Sequence, residues 1–224
     1  EDQLNLMVID GDCGSAARTR NALLDFVDRE LPRVRWVARL DADDRFSEPR
    51  SLAAAVELGE RAQSKYVLGT NRLVDNGVVL DRVNVPSDRL RSRAGILGCL
   101  SAMAEGTAEN ELPSCNLVLA RRTGFRYADE ASAEDHWLVA DLLINHPEKG
   151  VFLEQPFFCD YTLNGCSSRG NRQSASYTRS RRSLHAIAGQ WAEARERPEP
   201  IIGYGREGVV RVMNGFVEKT FYKG

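Results

Sequence analysis

The sequence has no run approaching the roughly 18 consecutive apolar residues of a membrane span. Its N-terminus, Glu1-Asp2-Gln3-Leu4-Asn5-Leu6, is acidic, so it lacks the basic start of a signal peptide. Cysteines are few: Cys13, Cys99, Cys115, Cys159 and Cys166, an odd number, widely spaced and without a CxxC. That argues against a disulfide framework or a zinc site, and for the reduced thiols of a cytosol. A Cys159–Cys166 bridge across a loop is the minor alternative. His136, His146 and His185 show neither HExxH nor HxH spacing, which argues against a histidine-built metal site. An excess of one charge is missing too. Thirty Lys+Arg stand against 32 Asp+Glu, a net charge of -2, with no global pull toward nucleic acid or an anionic membrane. What is present is ordinary globular usage, 42% hydrophobic and 28% charged over 224 residues. At roughly 100–200 residues per domain, this is one domain, or one with a small appendage.

Apolar runs and turn residues divide the chain. Leu4 to Ile9 reads as a buried strand. Ser15 can cap a helix that runs to Leu31 and is stopped by Pro32. Arg35 to Leu40 reads as a second strand, followed by a helix with Pro49 near its start. Tyr66 to Val74 reads as one strand, and Asn76-Gly77 supplies the positive φ of a type I′ turn into Val78–Val83. Residues 86–106 read as a helix, Cys115–Ala120 as a strand, and Ala133–Asn145 as a helix opened by acidic residues, which suits its dipole. Val151–Leu163 reads as extended, Asn164–Ser180 as a loop, and Ser183–Arg197 as a helix. Two strands are expected around the glycines of 201–221. The alternation of strands and helices predicts an α/β fold with a mixed, mainly parallel sheet flanked by helices.

Asp41, Asp43 and Asp44 follow an apolar strand, and ligands of open α/β sheets bind outside the carboxyl ends of strands. In an extended segment Asp41 and Asp43 face one side. Two such carboxylates suit Mg²⁺ or Mn²⁺, which takes oxygen ligands and is completed by substrate phosphates. A solvated acidic turn is the competing reading of the same spacing.

Four segments in order resemble family-two glycosyltransferases. Arg39-Leu40-Asp41-Ala42-Asp43-Asp44 is similar to their DXD segment, and Gly14 to Leu23 to their glycine-to-"ARN" helix. Glu134-Asp135-His136-Trp137-Leu138 is similar to their "ED-W" segment. Asp160-Tyr161 followed by Ser167-Ser168 resembles the stretch that reaches the donor diphosphate. The resemblance covers roughly residues 4–175 and implies a GT-A-like, Rossmann-like fold whose first strands are missing. It implies a metal-dependent inverting transfer of a sugar from a nucleotide-diphosphate sugar, a UDP-sugar foremost, to a hydroxyl of a glycan or lipid-linked acceptor of the cell envelope. Asp43 would hold Mn²⁺ or Mg²⁺ on the diphosphate, and Asp41 would share the metal or contact the ribose. Arg20 and Asn21 would lie on the nucleotide side. Asp135 would be the general base, with Glu134 beside it. Ser167, Ser168 and Arg169 would close over the diphosphate, in a locally basic stretch that also carries Arg172, Arg179, Arg181 and Arg182. Trp137 could stack on a sugar ring or be a core tryptophan. The setting implied is cytoplasmic, soluble or peripheral at the inner face of the membrane, with no nucleic-acid partner and no membrane span.

At the far end, Gly203-Tyr204-Gly205-Arg206-Glu207-Gly208-Val209-Val210 with Lys219 beyond resembles the phosphate-covering loop and strand lysine that open kinase-like folds. A hairpin finishing the fold is the plainer reading. Three parts are therefore expected: a glycosyltransferase-like domain over 1–182, N-terminally incomplete; a helix and linker over 183–200; and a kinase-like opening over 201–224. The rival functions are a non-catalytic sugar-binding remnant and an ATP-binding kinase-like module of a bifunctional protein.

Overall fold

The computed structural model describes residues 13–84, 88–107, 112, 116–163, 174–196, 201–204, 208–213 and 216–221. The strand expected over Leu4–Ile9 lies outside them. Helix α1 (Ala16–Glu30) starts where Ser15, in an extended conformation, accepts the Arg18 N–H on its hydroxyl. It ends just before Pro32, where the Arg121 guanidinium donates to the carbonyls of Val27, Asp28 and Pro32 and satisfies its last turn.

Before its C-terminal stretch the chain builds two four-stranded sheets and passes from the first to the second three times, returning twice. β1 (Trp36–Ala38), β3 (Tyr66–Gly69), β6 (Leu117–Ala120) and β7 (Gly150–Leu153) form the first sheet, in the order β1-β6-β3-β7. β2 (Arg45–Phe46), β4 (Asn71–Asp75), β5 (Val78–Asn84) and β8 (Cys159–Thr162) form the second, in the order β2-β8-β4-β5. The chain leaves the first sheet at β1 to β2, β3 to β4 and β7 to β8, and returns to it at β2 to β3 and β5 to β6.

The strand expected over Tyr66–Val74 is thus two strands. The switch is at Thr70, whose carbonyl accepts the Phe158 N–H and whose hydroxyl donates to the Leu153 carbonyl. Likewise the extended Val151–Leu163 is β7 and β8, with a cis Gln155–Pro156 bond between them. The sheets are mixed, as expected, but mainly antiparallel and not mainly parallel. Among the described pairings β3–β7 and β4–β8 are parallel, while β1–β6, β3–β6, β2–β8 and β4–β5 are antiparallel. Asn76 and Gly77 make the two-residue turn of the β4–β5 hairpin with φ of 48° and 80°, as their sequence predicts.

The apolar character of β3 and β6 follows from burial on both faces. Tyr66, Leu68, Leu117 and Leu119 point into the larger core, under α3 (Arg93–Glu105), α4 (Glu134–Asn145) and α5 (Ala175–Glu196). Val67 and Val118, alternating with them, point into a smaller core under α2 (Ser51–Arg61), with Ala55, Leu153 and Phe158. At Gly59 of α2 an added Cβ would come within 2.5 Å of the Trp36 ring, so a glycine lets α2 lie close on β1.

The helix expected over 86–106 is a 3-10 turn (Asp88–Arg91) and α3, separated by Ser92, which caps α3 by accepting from Gly95 N. Helix α5 begins at Ala175, not at Ser183, so the stretch 175–180 is helical where a loop is expected. Two of its serines find partners on Ser132, before α4, and on Trp137 in α4. Ser180 donates to the Ser132 carbonyl and accepts the Trp137 indole N–H, and Ser176 meets Ser132. Among the described residues no helix is long and apolar enough to cross a membrane.

The C-terminal stretch holds three strands, not two: β9 (Ile201–Tyr204), β10 (Gly208–Met213) and β11 (Phe216–Phe221), in the antiparallel order β11-β10-β9.

Candidate functional site

The segment between β1 and β2 bridges the two sheets and carries Asp41, Asp43 and Asp44. It is a turn, closed by Asp44 N donating to the Asp41 carbonyl at 3.0 Å. The extended geometry that would aim Asp41 and Asp43 to one side is therefore corrected. The chain bends here because β2 belongs to the other sheet.

Asp43 is exposed. Its carbonyl and the Asp44 carboxylate are tied to the end of β8. Thr162 Oγ1 donates to Asp43 O at 2.6 Å, and Thr162 N donates to Asp44 Oδ1 at 2.8 Å. The other Asp44 oxygen, Oδ2, is buried with no hydrogen-bond partner among the described residues. Burial pushes the Asp44 carboxyl up to about 6, with Asp43 and Asp41 adding to the rise and the Thr162 N–H and Arg39 opposing it.

Asp41 has a different environment. Both its oxygens face Arg39, which donates Nε to Oδ1 at 3.0 Å and Nη2 to Oδ2 at 2.6 Å. The third nitrogen of the same guanidinium, Nη1, donates to Asp135 Oδ2 at 3.1 Å. Arg20, on α1, pairs with Glu134, lies 3.8 Å from Asp41 Oδ1, and sits over the Tyr127 ring at 5.4 Å. Carboxylates and guanidiniums thus alternate in one cluster, Glu134–Arg20–Asp41–Arg39–Asp135. It gathers α1, the end of β1 and the start of α4.

Asp135 and Glu134 reach this cluster through Ala133, which takes the left-handed conformation (φ 58°) at the entry to α4 and caps it without a side-chain bond. Asp135 Oδ1 accepts the His136 N–H at 2.9 Å, one of the free amides of the first turn. The His136 ring is buried, and burial pushes its pKa down to about 4.

Several expected site residues fall elsewhere. Asn21 clips the Tyr127 backbone, donating to its carbonyl at 2.9 Å and accepting from its N–H at 2.8 Å. Trp137 is 3% exposed, bonded to Ser180 and packed edge-on against Trp191, so it is a core residue and not a sugar-stacking one. Asp160 is a buried hub, accepting from Arg45, Arg72 and Ser47. Cys159 is a free thiol that donates to Asn71 Oδ1, and Cys166 lies outside the described residues. So do Ser167, Ser168, Arg169 and Gly205. Gly203 and Lys219 are both register partners of Val210, which puts the three in one row across β9, β10 and β11, while Gly208 opens β10.

Arg39 is the residue that sequence reading missed. Its signal was available: an arginine inside the run Trp36-Val37-Ala38-Arg39-Leu40 must find a partner if the run is buried. Among the described residues no group of three or more His, Cys, Asp or Glu side chains is gathered to hold a metal. A divalent ion would have to draw on fewer protein ligands and on oxygens of a substrate. The exposed Asp43 carboxylate and the unpartnered Asp44 Oδ2 fit such a site, while both Asp41 oxygens already accept from Arg39. No family model matches this chain, and no curated protein matches it significantly.

Proposed function

We propose that the chain is a metal-dependent inverting glycosyltransferase that moves a sugar from a nucleotide-diphosphate sugar, a UDP-sugar foremost, to a hydroxyl of a cell-envelope glycan or lipid-linked acceptor. One observation carries the reading. Two segments assigned separately to the donor and to the base, around Asp41 and around Asp135, share the Arg39 guanidinium. Inverting transfer is a single displacement and needs a carboxylate within hydrogen-bonding reach of the incoming hydroxyl. Asp135 takes that role, and Glu134 beside it is neutralised by Arg20. Asp43 would hold Mn²⁺ or Mg²⁺. When bound, that ion supplies positive charge for the departing diphosphate. Thr162 joins the Asp43–Asp44 turn to the end of β8, from which the chain leads toward Ser167, Ser168 and Arg169. The test is donor turnover. Asp135→Asn is expected to keep nucleotide binding and lose at least about 100-fold in transfer rate, and full activity in that variant would remove the base assignment.

A second reading attaches to the C-terminal sheet alone. Its glycine-containing β9–β10 connection and the Gly203–Val210–Lys219 row support an ATP-binding module. It predicts ATP-dependent protection of 203–219 in hydrogen exchange. Exchange unchanged by ATP would dismiss it.

A further inference from the structure

Arg39 lies one residue beyond β1, yet its backbone is still held in the first sheet, since its N–H donates to the Leu117 carbonyl at 3.4 Å. The side chain is only 13% exposed. Nε and Nη2 grip Asp41 side-on through two parallel bonds, which fixes the plane of the fork. With that plane fixed, Nη1 has one direction left, and it ends on Asp135 Oδ2. The Asp135 carboxylate is held at its other end by the His136 N–H, so it cannot turn away. Each Asp41 oxygen already accepts from the Arg39 guanidinium, whereas no side chain among the described residues occupies the Asp43 carboxylate.

We propose that Arg39 is a positioning residue for the base: Asp41 fixes the Arg39 guanidinium, Arg39 fixes the Asp135 carboxylate, and Asp41 serves the transfer through Arg39 and not as a metal ligand. The proposal rests on the glycosyl-transfer reading for the role of Asp135. The order of dependence within the triad is independent of that reading. A lysine cannot replace Arg39, because one ammonium is a point charge and cannot grip Asp41 and reach Asp135 in a fixed plane. The Glu134–Arg20 pair, on the far side of Asp41, supports the same arrangement: Arg20 lies 3.8 Å from the oxygen that accepts Arg39 Nε.

The experiment has two arms on the full chain. In the first, UDP release from UDP-glucose and UDP-N-acetylglucosamine is followed with Mn²⁺ for wild type, Arg39→Lys, Arg39→Gln, Asp41→Asn and the Arg39→Gln/Asp41→Asn double variant. Arg39→Gln and Asp41→Asn are each expected to lower kcat about 100-fold with KM within about three-fold. The double variant is expected to be no worse than the poorer single, because the two act as one unit. Arg39→Lys should not restore the rate. Losses that multiply in the double variant, or a change confined to KM, would overturn the proposal. In the second arm, the Arg39 Nε–H is observed by ¹⁵N NMR. It should exchange slowly in wild type and in Asp135→Asn, and rapidly in Asp41→Asn. An Nε–H that stays protected in Asp41→Asn, or is fast in wild type, would overturn the order proposed. If wild type releases no UDP from either donor, the UDP-sugar assignment fails, and the NMR arm alone upholds or overturns the dependence of Arg39 on Asp41.

Discussion

Arg39 Nη1 lies 3.1 Å from Asp135 Oδ2, joining the end of β1 to the first turn of α4 across 96 residues of chain. Burial works against the Arg39 charge, but Asp135 and Asp41 outweigh it and keep the guanidinium protonated. Removing that charge leaves two partly buried carboxylates without their shared partner. Arg39→Gln is expected to lower stability by about 3 kcal/mol, and Arg39→Lys by roughly half as much, since it keeps the charge and loses the fork. Urea unfolding with an unchanged slope would measure both. A fully stable Arg39→Gln would mean that the cluster does not hold these elements together.

The second sheet has its own anchor in Asp160, 2% exposed at the centre of β8. Burial pushes its carboxyl up, but bonds from Arg72, Ser47 and Arg45 together outweigh burial and hold it below the usual carboxylate range. The stability from this lowered pKa is fully present above the unfolded value, near 4, and is lost as pH falls through the still lower folded value. Asp160→Asn should cost about 3 kcal/mol near pH 7. It should also flatten the loss of stability below about pH 4. Paired unfolding curves at the two pH values check this, and an unchanged acid limb would count against it.

His136 gives the opposite kind of group, a base held neutral. Its Nδ1 has no partner among the described residues, and its pKa falls from 6.5 to about 4, chiefly through burial. The unfolded chain takes up this proton below about pH 6.5 and the folded one does not until about pH 4, so stability falls as pH drops through that window. His146, also lowered to about 4 by burial and by Lys149, contributes in the same window. Between about pH 7 and about pH 4.5, His136→Gln is expected to lose about 2 kcal/mol less than wild type. Equal losses would show that His136 does not carry the effect.

Ala133 holds a left-handed φ of 58° while buried at the entry to α4. That conformation is disfavoured for alanine by roughly 1–2 kcal/mol and is worse for a β-branched residue. Ala133→Gly is expected to keep or raise the melting temperature, and Ala133→Val to lower stability by about 2 kcal/mol or more. If glycine destabilised more than valine, the strain at this entry would be misread.

These residues also show what could be read from sequence and what could not. Helix α1 was legible because its start and stop are local, in Ser15 and Pro32. The β4–β5 hairpin was legible in Asn76-Gly77. The break at Thr70 was not, because an apolar run looks the same whether it stays in one sheet or leaves for another. The same limit hid the turn at Asp41–Asp44: only the position of β2 in the second sheet tells that the chain must bend there. The first turns of α5 read as a loop because their polar side chains form no apolar stripe: Ser176 and Ser180 bond to Ser132, before α4, and Arg181 donates to Tyr177 within α5. Asp41 and Asp135 were both legible as candidates. Their link was not, since it runs through an arginine that the strand pattern absorbed.

The central claim is that the Asp41–Asp44 turn takes a metal-bound nucleotide diphosphate, with Asp43 as the ligand. The most direct measurement is calorimetric titration of UDP and of GDP into wild type, Asp43→Ala and Asp41→Asn, each with Mn²⁺ and again with EDTA. The account predicts Mn²⁺-dependent binding of one nucleotide to wild type, its loss in Asp43→Ala and in EDTA, and its retention in Asp41→Asn. Binding that is equal in EDTA and in Asp43→Ala, or no binding of either nucleotide to wild type, would contradict it.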